Sequence, residues 1–153
     1  MATAQRIADM LNAAYFEGNW TGPNLFSLLE GVDCGMATKK LEGFNSIAQL
    51  VFHLNYYIHE QNHFFRTGEL KAKDALSFDM PPIKDETEWQ ALLAGVKEDG
   101  MKWQKHVSTL TDNQLAAPFI DEKYGTYYRN LHGAIQHAHY HMGQIALIKK
   151  QLL

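Results

Sequence analysis

The run LHGAIQHAHYHMGQIALIKKQLL at residues 131–153 constrains the fold more than any other stretch. Ala134, Ala138, Ile145, Ile148 and Leu152 recur in it at helical spacing, and His137 and His141 stand four residues apart inside that apolar stripe. Positions i and i+4 of a helix lie one turn apart on the same face, roughly 6 Å between Cβ atoms, so two imidazoles can point at one ion. The stripe has to be buried against other helices, which turns both rings toward an interior where an imidazole needs a partner. Two readings fit: a pair of metal ligands, or a pair of core histidines bonded to backbone or to a carboxylate.

The rest of the chain reads as helices to pack against this one. Ile7, Met10, Leu11, Ala14 and Tyr15 mark an amphipathic helix from Ala4 to about Glu17, ended by Gly18. A turn-rich loop, GNWTGPN, follows; Trp20 in it either lines a pocket or covers the end of a bundle. Asn24 caps a short apolar helix, LFSLLEG, and residues 31–44 form a glycine-punctuated loop with one helical turn. Ser46 with Gln49 makes a capping box before a long second helix that stops near Thr67 and Gly68. Its stripe is Ile47, Val51, Leu54, Ile58 and Phe65, with Leu50 and His53 on the margin. A long connection, broken by Pro81 and Pro82, leads to a second predicted capping box, Asp85 with Glu88.

The third helix is expected from Glu86 to Leu110 on Trp89, Leu92, Leu93, Val96, Trp103, Val107 and Leu110. Gly95 and Gly100 weaken it by about 1 kcal/mol each against alanine, which marks a kink or a close helix contact. Phe119 to Tyr124 read as briefly extended, and the fourth helix starts near Thr126. The expected architecture is all-α, a four-helix up-down bundle with a long connection between helices 2 and 3.

A chain of 153 residues buries roughly 70% of its unfolded surface on folding, which suits a single domain over 1–153. Its one cysteine, Cys34, forms no internal disulfide and has no neighbour that would activate it. With no charged-then-apolar opening segment, a cytoplasmic location is expected. No apolar run approaches the ~20 residues of a membrane span. A net charge of -3 without a Lys/Arg cluster leaves no footprint for nucleic acid. The histidines are the compositional signal: eight of them, mostly within 53–63 and 132–141.

Bundles build metal sites from facing helices, and an i,i+4 pair plus one ligand from another helix leaves a coordination position open. His53 is the natural third ligand to His137 and His141. A competing pattern is HEQNH at residues 59–63, the H-E-x-x-H string of zinc proteases, with Glu60 as general base. His59 and His63 fall off the apolar stripe and the helix breaks five residues later, so they and Glu60 are assigned to a solvated face. His132 and His139 point about 140° and 200° away from His137, as surface residues or subunit contacts. His106 reads as a helix-end residue. Gln144 either orients a ligand or bonds only to helix backbone.

NSIAQLVFHL in an early helix, DETEWQALL opening the third, TLTDNQL at its exit and HAHYHMGQIALIKK at the end together resemble the DinB/YfiT-like family of helical metal-binding proteins. The resemblance spans nearly the whole chain. It implies a bundle with a divalent ion, often zinc or nickel, held at His53, His137 and His141. Met142 stands where members commonly have arginine before the glycine, here Gly143. The family tends to form homodimers, and its characterised branches include thiol-dependent transferases and isomerases that use low-molecular-weight thiols. The expected function is a metal-dependent enzyme acting on a small molecule, with metal-bound water (hydrolase) or metal-bound thiolate (transferase) as nucleophile. The alternative is a non-catalytic structural or sensing metal protein.

Overall fold

The computed structural model describes residues 2–153. Those residues form α1 (Thr3–Tyr15), α2 (Leu25–Leu29), α3 (Cys34–Thr38), α4 (Ile47–Thr67), α5 (Glu86–Ser108), α6 (Asp112–Ala116) and α7 (Tyr127–Leu152), with 3₁₀ turns at Asp74–Leu76 and Glu122–Tyr124. Among them there is no strand, only two isolated bridges in the 19–22 and 118–126 turns. No helix of the described residues is long and apolar enough to cross a membrane.

Local chemistry explains where the helices begin. The Ser46 hydroxyl accepts the Gln49 N–H at 3.2 Å while the Gln49 side chain accepts the Ser46 N–H at 3.1 Å, so the predicted capping box is complete. Asn24 caps α2 in the same reciprocal way with Ser27. The box predicted at Asp85 is only half formed: Asp85 accepts the Glu88 N–H, but the Glu88 carboxylate turns outward to the N–H of Lys84 at 2.7 Å. That turn still satisfies a free donor ahead of the helix.

The longer helices close a ring of contacts, α1 on α5, α5 on α4, α4 on α7 and α7 on α1. Leu11, Tyr15, Val51, Leu54, Trp89, Val96, Trp103, Leu131 and Ile145 fill its centre. Both buried indoles find acceptors: Trp89 donates to the Val32 carbonyl at 2.8 Å and Trp103 to Gln61 Oε1 at 2.6 Å. Gly100 is the close contact expected of it, for a Cβ there would stand 2.9 Å from the Phe16 ring and 3.2 Å from that of Tyr15. Gly95 faces open space.

Several expectations change. Met10 is 45% exposed rather than in the core, and Trp20 is fully exposed, neither lining a pocket nor covering a bundle end. The exit from α5 holds the additional helix α6, capped by Thr111 and Gln114. Residues 119–124 are not extended; they curl into the second 3₁₀ turn, held by the Phe119 N–H on the Gly125 carbonyl. The 69–85 connection folds back along α4. The Tyr56 hydroxyl accepts the Lys73 N–H at 2.7 Å and donates to its carbonyl at 3.1 Å, and the Tyr57 hydroxyl donates to Asp74 at 3.0 Å. Ser77 is buried as a result.

Candidate metal centre

α4 carries His53 and α7 carries His137 and His141, and where these helices pack the three rings meet. The Nε2 atoms of His53 and His141 lie 3.0 and 2.9 Å from Nε2 of His137. No other set of three or more His, Cys, Asp or Glu side chains among the described residues gathers closely enough to hold a metal ion.

The outer nitrogens decide what the inner ones present. A carbonyl oxygen only accepts, so the Ser77 carbonyl, 3.3 Å from His53 Nδ1, fixes the proton on that nitrogen and leaves Nε2 a lone pair. Gln144 Oε1 does the same for His141 Nδ1 at 2.6 Å. Two lone pairs are therefore aimed at one nitrogen of His137, which carries at most one proton and can satisfy only one of them. Burial is the first cause that lowers the pKa of each ring. For His137 the neighbouring His141 and His53 add to it and push the value down to about 4. His53 is lowered by burial and then by His141, against the pull of Ser77 and Asp74; His141 is lowered by burial, against Gln144. Three neutral imidazoles converge with too few protons among them, which is the donor set that a divalent cation completes. Nitrogens bound to zinc at about 2.1 Å lie roughly 3.4 Å apart in a tetrahedral set; the two contacts of His137, at 3.0 and 2.9 Å, are within about half an ångström of that spacing, and all three donor atoms lie within 4.8 Å of one another.

Aromatic rings shape the surroundings. Phe78 stacks on His53 with centroids 3.9 Å apart at 8°. Tyr57 sets its edge against His53 and His137 at 5.3 and 5.4 Å, and Tyr140 lies against His141 at 4.9 Å. A cavity of about 480 Å³ opens beside His137, lined also by Tyr57, Gln61, Arg129 and Asn130. Tyr57 is not among the residues expected from the sequence, although its place four residues after His53 puts it on the same helix face. Nor are Ser77 and Phe78, since the connection that carries them has no periodicity to read.

The protease string does not assemble. His59 is exposed, with Nδ1 on the buried Asp99 at 2.9 Å. His63 and Glu60 are half-buried instead of solvated, and His63 Nε2 and Glu60 Oε2 are shielded without a hydrogen-bond partner. His106 packs on Phe65 at the end of α5, and His132 on Tyr128. Gln144 is the orienting residue of the two roles considered for it.

Among comparisons with known proteins, residues 16–145 match the family model described as the DinB superfamily. No curated protein matches, and no solved structure matches.

Proposed function

We propose, from the premise that the chain belongs to the DinB superfamily, that it is a cytoplasmic metal-dependent enzyme acting on a small molecule. His53, His137 and His141 would hold the ion, zinc or nickel by the chemistry of neutral imidazole. The observation that carries an enzymatic role is the count of donors. Three nitrogens converge with no fourth protein ligand in the described cluster, and a cavity reaches His137. A structural zinc site takes four protein ligands.

When bound, the ion supplies Lewis acidity that draws the pKa of a water or a thiol toward neutrality, the source of nucleophile in a hydrolase and in a thiol-dependent transferase respectively. The chain's own residues do the positioning. Ser77 and Gln144 hold the protons of His53 and His141 on their Nδ1 atoms, so both rings keep the donor orientation. Phe78 covers the face of His53 and keeps water from it. The Tyr57 hydroxyl, held by Asp74, fixes the wall between the rings and the cavity. The cavity has room for a low-molecular-weight thiol or for substrate.

The ring of α1, α5, α4 and α7 supports reading the fold as a four-helix bundle in which α4 and α5, joined by the long connection, are neighbours, while α1 and α4, and α5 and α7, stand opposite each other. The outer face of α7, where Tyr140 and Leu147 are 65% and 66% exposed, supports a homodimer. The function is tested by the metal content of protein purified without added metal, followed by turnover screens. One ion per chain is expected, lost in His137→Ala and His141→Ala. Activated esters, amides and lactones probe the water route, and electrophiles supplied with low-molecular-weight thiols probe the other. Stoichiometric metal in the double variant moves the site elsewhere. Bound metal with no turnover in either screen leaves a non-catalytic metal protein.

A further inference from the structure

The cavity beside His137 adjoins a second one of about 400 Å³. The two share Tyr57, Gln61, Tyr124 and Asn130, so they form one cleft between α4 and α7. Its ends differ in charge. The end at His137 carries Lys123 and Arg129 and no acid, whereas the far end carries Glu60 and Asp74 and no base.

The charges are not used up within the fold. Among the described residues Arg129 makes no ion pair, and the Lys123 ammonium meets the exposed Asp121 at 3.5 Å and lies over the Tyr124 ring, 4.8 Å from its centroid. At the other end Asp74 takes the Tyr57 hydroxyl, but Glu60 Oε2 is buried with no donor. A carboxylate oxygen shielded from water and left unpaired is costly, and a surface glutamate would turn it to solvent. Between the ends stand two amides whose orientations are set. Gln61 Oε1 is taken by the Trp103 indole, which leaves its amino group free. The Asn130 amino group donates to the Tyr124 and Thr126 carbonyls, both at 2.9 Å, which leaves its oxygen free. One free donor and one free acceptor match the C=O and N–H of an amide.

Resting on the reading of the metal centre given above, we infer that this cleft binds a small dipolar, peptide-like ligand, its carboxylate at Arg129 and Lys123, its ammonium at Glu60, and an amide between Gln61 and Asn130. This orientation lays the acidic end of the ligand beside His137 and selects against molecules with a single charge.

The test uses triglycine with N-acetyltriglycine and triglycinamide, titrated calorimetrically into the protein as purified and again after chelation, so that ligation of an ion is separated from recognition by the cleft. Each blocked peptide is expected to bind about 10-fold or more weaker than triglycine, the loss of one charge-assisted contact. Glu60→Gln should abolish the difference between triglycine and its acetylated form, Arg129→Gln should reduce the difference from the amide and Arg129→Gln with Lys123→Gln should abolish it, with metal content unchanged in all three. Equal binding of the three peptides, no binding of triglycine, or variants that discriminate like the parent would overturn the inference. Retained discrimination in a protein that carries no metal would instead sink the metal reading and leave the cleft standing. The blocked peptides keep the test decisive if a variant folds poorly.

Discussion

Replacing Gln144 by alanine removes a contact that no metal-binding atom makes directly. Gln144 Oε1 holds the His141 Nδ1 proton at 2.6 Å, against 3.3 Å for the equivalent bond from His53 to Ser77, so it is the tighter of the two anchors. His141 is only 7% exposed, and water has little access to replace the lost acceptor. Without it the ring is free to move its proton to Nε2, where the lone pair is required. Removing such a partner typically weakens metal binding by 10–100-fold, or about 1.4–2.7 kcal/mol, and the short bond and burial place Gln144→Ala toward the upper end. Gln144→Glu keeps an acceptor and adds charge, so it should bind zinc at least as tightly as the parent. Competition with a chromophoric chelator at pH 7.5 measures both against the parent and His141→Ala. Zinc held by Gln144→Ala within about 2-fold of the parent, while His141→Ala loses it, would show that the ring needs no anchor and refute the reasoning.

The metal-free protein should lose stability in acid. His137 is held down to about 4 in the folded state against 6.5 unfolded, so its contribution is full above about 6.5 and is lost as pH falls toward 4. That is at most about 3 kcal/mol; urea midpoints from pH 7.5 to 4.5 should fall more steeply than in His137→Gln, and parallel curves would contradict the assignment. Gly95→Ala should stabilise by about 1 kcal/mol, whereas Gly100→Ala drives a methyl into Phe16 and Tyr15 and should destabilise by about 1–2 kcal/mol after the helix gain is subtracted; thermal melts decide, and equal shifts would mean that no close contact exists. Leu147→Glu should convert a dimer to monomer by light scattering while leaving the circular dichroism spectrum intact; a monomeric parent would remove the basis for a dimer on α7.

Much of the helical framework could be read locally. The apolar stripes of α4, α5 and α7 follow a 3.6-residue period, and the Ser46, Asn24 and Thr126 caps sit where side-chain oxygens meet free N–H groups. Both signals act within one or two turns, so they are present in any short window of sequence. The pairing of His137 with His141 is of the same kind, since helix geometry alone puts them on one face. Met10 and Trp20 depart from the expectation because an apolar residue at a helix margin or in a loop is buried only as far as another element covers it: Met10, in a groove beside Tyr128 and His132, stays 45% exposed and Trp20 is fully exposed.

What only the tertiary structure decided is separated in sequence by many residues. His53 and His137 are 84 positions apart, and their Nε2 atoms meet because α4 packs on α7. Periodicity alone places His53 on a margin, with His59 and His63 as rivals on the same helix. The contrast between a gathered trio and a His59 bound to Asp99 of α5 depends on which helix lies opposite each turn. The 69–85 connection has no period, yet the Tyr56 and Tyr57 hydroxyls fold it onto α4 and bring the Ser77 carbonyl and Phe78 to the site. Glu60 marks the limit most sharply: in sequence it is a polar residue on an outer face, and only the packing of the turns around it leaves one of its oxygens buried beside a cleft. Short-range order follows from the local backbone and its neighbours, but the convergence of side chains on one point is a property of how helices cross, which no single segment contains.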